Sequence, residues 1–207
     1  MTEAETPQKI IIAATTVFSR EGFKGARMQQ IAKAAGVNQA LLHYYFNSKE
    51  QLYQEVLFSF FGHVIGQLTH HFQTYDSPEA ALRNFIHAYV DILKDNPELP
   101  RLMVSEMLDG GTHIIAAADR IFSQTGLTPP NLIIPFIEKA AAQGLIRPVD
   151  PRQTAVSVLG MCIFYFIAKP LFNHVWGEPA DEERFLEERK AAIMDLVLYG
   201  LTKPKEA

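Results

Sequence analysis

Residues Ile31 to Lys49 read IAKAAGVNQALLHYYFNSK, and the punctuation of that run decides the fold. Ile31, Ala32 and Ala35 recur at helical spacing, and Gly36 permits the left-handed backbone that stops a helix. Asn38 is placed to cap a second helix that starts one residue later. Two helices joined by so short a turn around a glycine form a helix-turn-helix, whose second helix lies in the DNA major groove. That second helix, Gln39 to Phe46, is too short to be stable alone, so it must dock, and Leu42 and Phe46, one turn apart, are the docking pair. Gln39, Ala40, Leu41, His43, Tyr44 and Tyr45 are left on or near the other face, with Asn38 at the cap. No charged residue occurs from Asn38 to Asn47, whereas an ordinary solvated face carries Lys and Glu.

Upstream, Thr6 and Pro7 open a first helix that runs to about Glu21, with Ile10, Ala14, Val17 and Phe18 on one side. Gly22 ends it, and the three-helix head closes near Phe46. Downstream, Asn47 with Glu50, or Ser48 with Gln51, forms a capping box for a fourth helix. Leu52, Val56, Phe60, Val64, Leu68 and Phe72 fall at four-residue steps along it, beside a second stripe of Tyr53, Leu57, Phe61 and Ile65. An apolar face that wide must pack on two neighbours. Lys49 lies in its first turn, where a helix N-terminus and an ammonium together can hold a phosphate.

The run GVNQALLHYYFNSKEQL, preceded by MQQIAKAAG and by an amphipathic helix ending EGF, resembles the DNA-binding domain of the TetR (tetracycline-repressor-like) family of bacterial regulators. The resemblance covers about Gln8 to Leu57. Gly22, Phe23, Ile31, Ala32, Ala35, Gly36, Val37, Leu42, Tyr45, Phe46, Lys49 and Leu52 all stand where the family pattern has them. Two places depart from it. Ala26 and Arg27 stand where the family often has a hydroxyl that caps the second helix and touches a phosphate, a contact that Arg27 replaces by charge, and His43 stands where it often has Tyr.

The rest of the chain fits one all-α protein: an N-terminal helix-turn-helix domain, 1–47, then a larger helical sensing and dimerisation domain, 48–207, with helix 48–75 connecting the two. Helices are expected from Ser77–Pro78, from Asn96–Pro97 to Leu108 before Gly110–Gly111, and over about Thr112–Ser123. Another is expected over Leu132–Gln143, with Pro135 kinking it or marking its start. Asp150 and Pro151 open a helix to about Ala168, stopped by Pro170, and Asp181 to Glu183 favour a last helix ended by Gly200. The helix after Pro151 is apolar on almost all sides, so it is either wholly buried or meets another subunit. The resemblance implies the latter, a homodimer formed through about 130–168 and 181–200.

Of the 207 residues 48% are hydrophobic, and the net charge is −4. Residues 1–50 hold six basic residues against four acidic ones, a net of +2, and the remainder holds 13 against 19, a net of −6. A basic head on an acidic body suits a protein of which only one end meets phosphates. The single Cys162 lies in an apolar segment and makes no intrachain disulfide, which suits a reducing cytosol, and the sequence suggests neither a signal peptide nor a membrane span.

These features describe a ligand-responsive transcriptional regulator, most simply a repressor, that binds a palindromic double-stranded DNA operator as a homodimer in the cytoplasm. Gln39 suits a bidentate contact to adenine, and Ala40 or Leu41 a thymine methyl. His43, Tyr44 and Tyr45 are within reach of phosphates or base edges, while Arg27 and Lys49 suit phosphate; some of the tyrosines equally suit packing within the head. The family resemblance implies a small-molecule pocket among the middle helices. Candidate lining residues are Phe61, Met103, Met107, Phe136, Phe164, Tyr165 and Trp176, with Glu106 and His113 as polar anchors and an apolar or aromatic effector. Each of these also suits plain core packing. No metal, cofactor or catalytic residue is expected: the histidines at 63, 70 and 71 are spaced too widely for one ion, and no HExxH, GxSxG or phosphate loop appears. The alternative from another class is a helical enzyme or ligand carrier that happens to begin with a helix-turn-helix.

Overall fold

A computed structural model describes residues 5–73, 77–126 and 129–201, and among them ten helices and no strand. They are α1 (Glu5–Gly25), α2 (Met28–Ala35), α3 (Gln39–Phe46), α4 (Lys49–Gln73), α5 (Pro78–Asp95), α6 (Glu98–Leu108), α7 (Thr112–Thr125), α8 (Pro129–Ala142), α9 (Pro151–Trp176) and α10 (Glu182–Leu201). The chain packs as two compact units, 1–64 with 96–126, and 65–95 with 127–207. The unit that holds the helix-turn-helix therefore reaches past residue 47. It takes in the first part of α4 and, from much later in the chain, α6 and α7.

In the first unit α1 packs on α2 and α6. Ile10, Ala14 and Phe18 of α1, Leu52, Tyr53, Val56 and Leu57 of α4, and Leu99 and Leu102 of α6 are all fully buried. Both stripes expected on α4 point inward as far as Val64; Phe72 lies outside the described side chains. Gly22 breaks the helical backbone of α1 as expected, with φ 66° and ψ 173°. A Cβ there would also lie 3.1 Å from the Ser105 hydroxyl of α6, so strain and crowding both favour glycine. One further turn, Phe23–Gly25, then follows within α1.

The second unit is built from α5, α8, α9 and α10, with the end of α4. Phe85, Ile86 and Leu93 of α5, Val158, Cys162 and Tyr165 of α9, and Leu186, Ile193 and Val197 of α10 form its core. Lys190, 3% exposed, ties α10 to α5 by donating to Asp91 (2.6 Å), and it also donates to Glu187 (2.7 Å). Burial alone would lower its pKa, but the two carboxylates outweigh that and raise it. Burial pushes the Cys162 thiol up to about 12, so it stays protonated and unreactive, as its apolar setting implied.

Helix ends differ from expectation in three places. Pro170 does not stop α9, which continues to Trp176; Gly200 lies within α10; and α8 begins at Pro129 with Pro135 inside it. Beyond Pro170, Phe172 stacks between Tyr165 (6.3 Å) and Trp176 (4.9 Å). That packing offsets the hydrogen bond the proline cannot make. Among the described residues α9 is the one helix long and apolar enough to cross a membrane, with a mean hydropathy of 1.9 over its most apolar window. Its apolarity divides between two sides. One is the core side just named, and the other is an exposed stripe of Val156, Phe164, Ile167, Leu171 and Val175.

Candidate nucleic-acid interface

The turn between α2 and α3 is built as the sequence requires. Gly36 is left-handed (φ 68°, ψ 28°), and the Val37 N–H reaches back to the Ala32 carbonyl at 3.0 Å, closing α2. Asn38 stays extended, and its side-chain oxygen accepts from the Leu41 N–H at 2.7 Å, which starts α3. Leu42 and Phe46 are buried at 0% and 6% exposure, so α3 docks through the expected pair. Gln39, Ala40, His43 and Tyr44 are exposed, while Leu41 and Tyr45 are half-buried. The Tyr44 and Tyr45 rings meet edge to face at 5.2 Å. The His43 ring Nδ1 lies 3.0 Å from the Asn47 carbonyl. A carbonyl only accepts, so Nδ1 is the donor and Nε2 is the nitrogen left for a ligand.

The two cations are placed differently from each other. Arg27 is exposed at the start of α2, and a guanidinium has no acceptor with which to cap. The Gln30 side chain instead accepts from the Arg27 N–H at 3.0 Å. Lys49 is half-buried: its ammonium donates to the carbonyls of Ala26 (3.1 Å) and Lys24 (3.4 Å) and lies 4.7 Å from the centre of the Phe23 ring. It thus holds the end of α1 and the α1–α2 turn, a role that spacing along the sequence did not reveal.

The residues expected to line an effector pocket fall in both units. Phe61, Met103, Glu106, Met107 and His113 belong to the first unit, and Phe136, Phe164, Tyr165 and Trp176 to the second. Glu106, 1% exposed, accepts from the Tyr53 hydroxyl (2.7 Å) and the Ile114 N–H (3.2 Å) and meets His113 Nδ1 at 3.2 Å. The other His113 nitrogen lies 2.8 Å from Glu50. Burial first, then the hydrogen bond to Glu106, pushes the Tyr53 phenol well above its ordinary pKa. Glu106 and His113 therefore satisfy each other and tie α6 and α7 to α4. Phe61 is buried, Met103 half-buried and Met107 58% exposed. In the second unit Tyr165 is buried, with its hydroxyl finding no partner, while Phe164 and Trp176 are 57% and 76% exposed. Phe136 alone of the nine lines a cavity of this unit, about 280 Å³ in volume, together with Leu82, Phe85, Ile137, Val158 and Val197. Those five look like ordinary core positions in sequence, and nothing in their spacing separates a cavity wall from a packed one. No group of three His, Cys, Asp or Glu suited to a metal occurs among the described residues.

A model of the tetracyclin repressor-like C-terminal domain matches residues 78–197, and one of the tetR family of bacterial regulatory proteins matches residues 10–56. The chain belongs to the TetR family. Like other TetR-family proteins it is a DNA-binding transcriptional regulator and not an enzyme. The transcriptional regulator RutR of Escherichia coli strain K12 is 28% identical over 192 residues, 93% of this chain and 88% of that protein. The transcriptional repressor NicS of Pseudomonas putida is 28% identical over 203 residues, 96% of this chain and 93% of that one. Among solved structures, the fatty acid degradation regulator FadR from Bacillus halodurans superposes with a TM-score of 0.73 at 18% identity, covering 97% of this chain and 98% of that one. At that identity the likeness is one of fold.

Proposed function

We propose that this TetR-family protein is a cytoplasmic repressor that binds a palindromic operator as a homodimer and is released by a small, largely apolar molecule. The observation that carries the DNA reading is the α3 face: capped by Asn38, docked through Leu42 and Phe46, and free of charge from Asn38 to Asn47. Gln39 pairs with adenine and Ala40 and Leu41 meet thymine methyls, while Tyr44, Tyr45 and Arg27 take phosphates. His43 presents Nε2, which as a neutral ring accepts from a base amino group. Lys49 acts by holding the α1–α2 turn and directs its remaining N–H to a phosphate. Residues 1–47 read DNA, and 48–207 sense and dimerise. The exposed apolar stripe of α9 supports the dimer, and repression accords with the similarity to the transcriptional repressor NicS.

The test is selection from a random duplex library, followed by affinity for the winner across salt. A near-palindrome with two half-sites about one DNA turn apart or slightly more, and a log affinity falling by about 0.9 per neutralised phosphate, is expected. Protein refolded free of bound ligand that enriches no sequence would refute the reading.

A further inference from the structure

The cavity of the second unit has walls supplied by four helices: Phe85 of α5, Phe136 and Ile137 of α8, Val158 of α9 and Val197 of α10. Native interiors are packed to crystal density, so wall atoms facing a space of about 280 Å³ lack partners that an occupant would restore. The polar groups at its edge are already engaged. The Thr154 hydroxyl donates to the Asp150 carbonyl (2.8 Å), Ser77 Oγ accepts from the Ala80 N–H (3.1 Å), and Glu79 accepts from Arg83 (2.9 Å). No Lys, Arg or His stands among the described residues that line it. Its interior therefore suits hydrocarbon and nothing charged.

At its mouth the chemistry changes. A shallower cleft shares Ser77, Phe136, Ala140 and Leu145 with the cavity and adds Lys139 and Gln143, both exposed. An apolar body inside the cavity would thus end beside an ammonium and an amide. A dry cavity of about 150 Å³ takes a benzene ring, so one nearly twice as large takes about ten carbons.

We infer that this cavity is the effector site and that it takes an amphipathic molecule, with an apolar body of about ten carbons inside and an anionic or strongly hydrogen-bonding head at Lys139 and Gln143. The effector role rests on the ligand-responsive reading proposed above; the binding site does not. Because α9 and α10 carry the walls Val158 and Val197 and also the exposed apolar residues Phe164 and Leu196, filling the cavity acts on the helices proposed to dimerise.

Calorimetry on the DNA-free protein with hexanoate, octanoate, decanoate and 1-decanol tests the inference. Affinity should rise about fourfold per methylene up to decanoate. Lys139→Glu should weaken decanoate at least fivefold and leave 1-decanol unchanged. Ala155→Phe, at a half-buried lining position, should abolish both. Binding that ignores chain length in the wild type, or that survives Ala155→Phe in a protein of unchanged circular dichroism, would overturn the site. Lys139→Glu weakening both ligands alike, or neither, would overturn the placement of the head. If decanoate binds with the expected length dependence but leaves operator affinity unchanged, the effector role is overturned and the site stands. Failure to select an operator at all bears on the DNA-reading proposal and is read separately from the calorimetry.

Discussion

A carboxylate that is 1% exposed, as at Glu106, is tolerable only if its oxygens are satisfied, and here Tyr53, His113 and the Ile114 amide do so. The sequence singles out Glu106 and His113 as candidate polar anchors. It does not mark Tyr53, whose hydroxyl partner is 53 positions away and which fits the apolar stripe of α4 equally well. Periodicity reports which side of a helix is buried, not which hydroxyl meets which carboxylate. Tyr53→Phe keeps the ring against Phe18 and Phe23, at 4.6 and 5.0 Å, and removes only the donor. The carboxylate left short of a partner should cost about 1–3 kcal/mol, a fall of roughly 2–4 °C in Tm for each kcal/mol. A thermal melt reads it. Combined with Glu106→Gln, the loss should fall short of the sum of the single variants by more than about 0.5 kcal/mol, whereas simple additivity would mean that the two groups are not coupled.

Elements were most legible where their ends are set by a local side chain. Asn38, Ser48 and Asp150 each accept from a backbone N–H two or three residues on, and each was readable because capping is chemistry within one turn; Asp181, expected only to favour α10 electrostatically, accepts from the Arg184 N–H as well. The end of α9 was not, because the aromatic stack of Tyr165, Phe172 and Trp176 that carries the helix past Pro170 is tertiary packing, while a proline signal is local. The same limit hid the cavity walls. Asn38 offers a clean test of the capped element that the proposal places in the groove. Asn38→Ala should cost about 1 kcal/mol of stability and about fivefold in operator affinity. Asn38→Asp keeps the cap but brings a negative charge toward phosphate, so its melt should stay at the wild-type value while binding, read by fluorescence anisotropy, still weakens. Equal melts for Ala and wild type would mean the cap contributes nothing.

In the whole molecule the exposed side of α9 is apolar. Val156, Phe164, Leu171 and Val175 are each more than half exposed, and they lie along one side of the helix at steps of eight, seven and four residues. Large contiguous apolar surface of this kind marks an interface, and the chain's apolar segments were expected to meet a twofold mate there. If they do, Phe164→Glu with Leu171→Glu places two carboxylates on each side of the seam, without entering the core that Val158, Cys162 and Tyr165 occupy. Sedimentation velocity should show the wild type at twice the mass of this variant, with the variant's helical circular dichroism intact. The consequence for DNA follows from the number of phosphates met: one head in place of two halves the contacts, so the slope of log affinity against log salt should fall by about half, as each neutralised phosphate contributes about −0.9. A variant that sediments like the wild type would show that α9 is not the seam. One that sediments as a monomer but keeps the full salt slope would show that both heads are not needed to hold the operator.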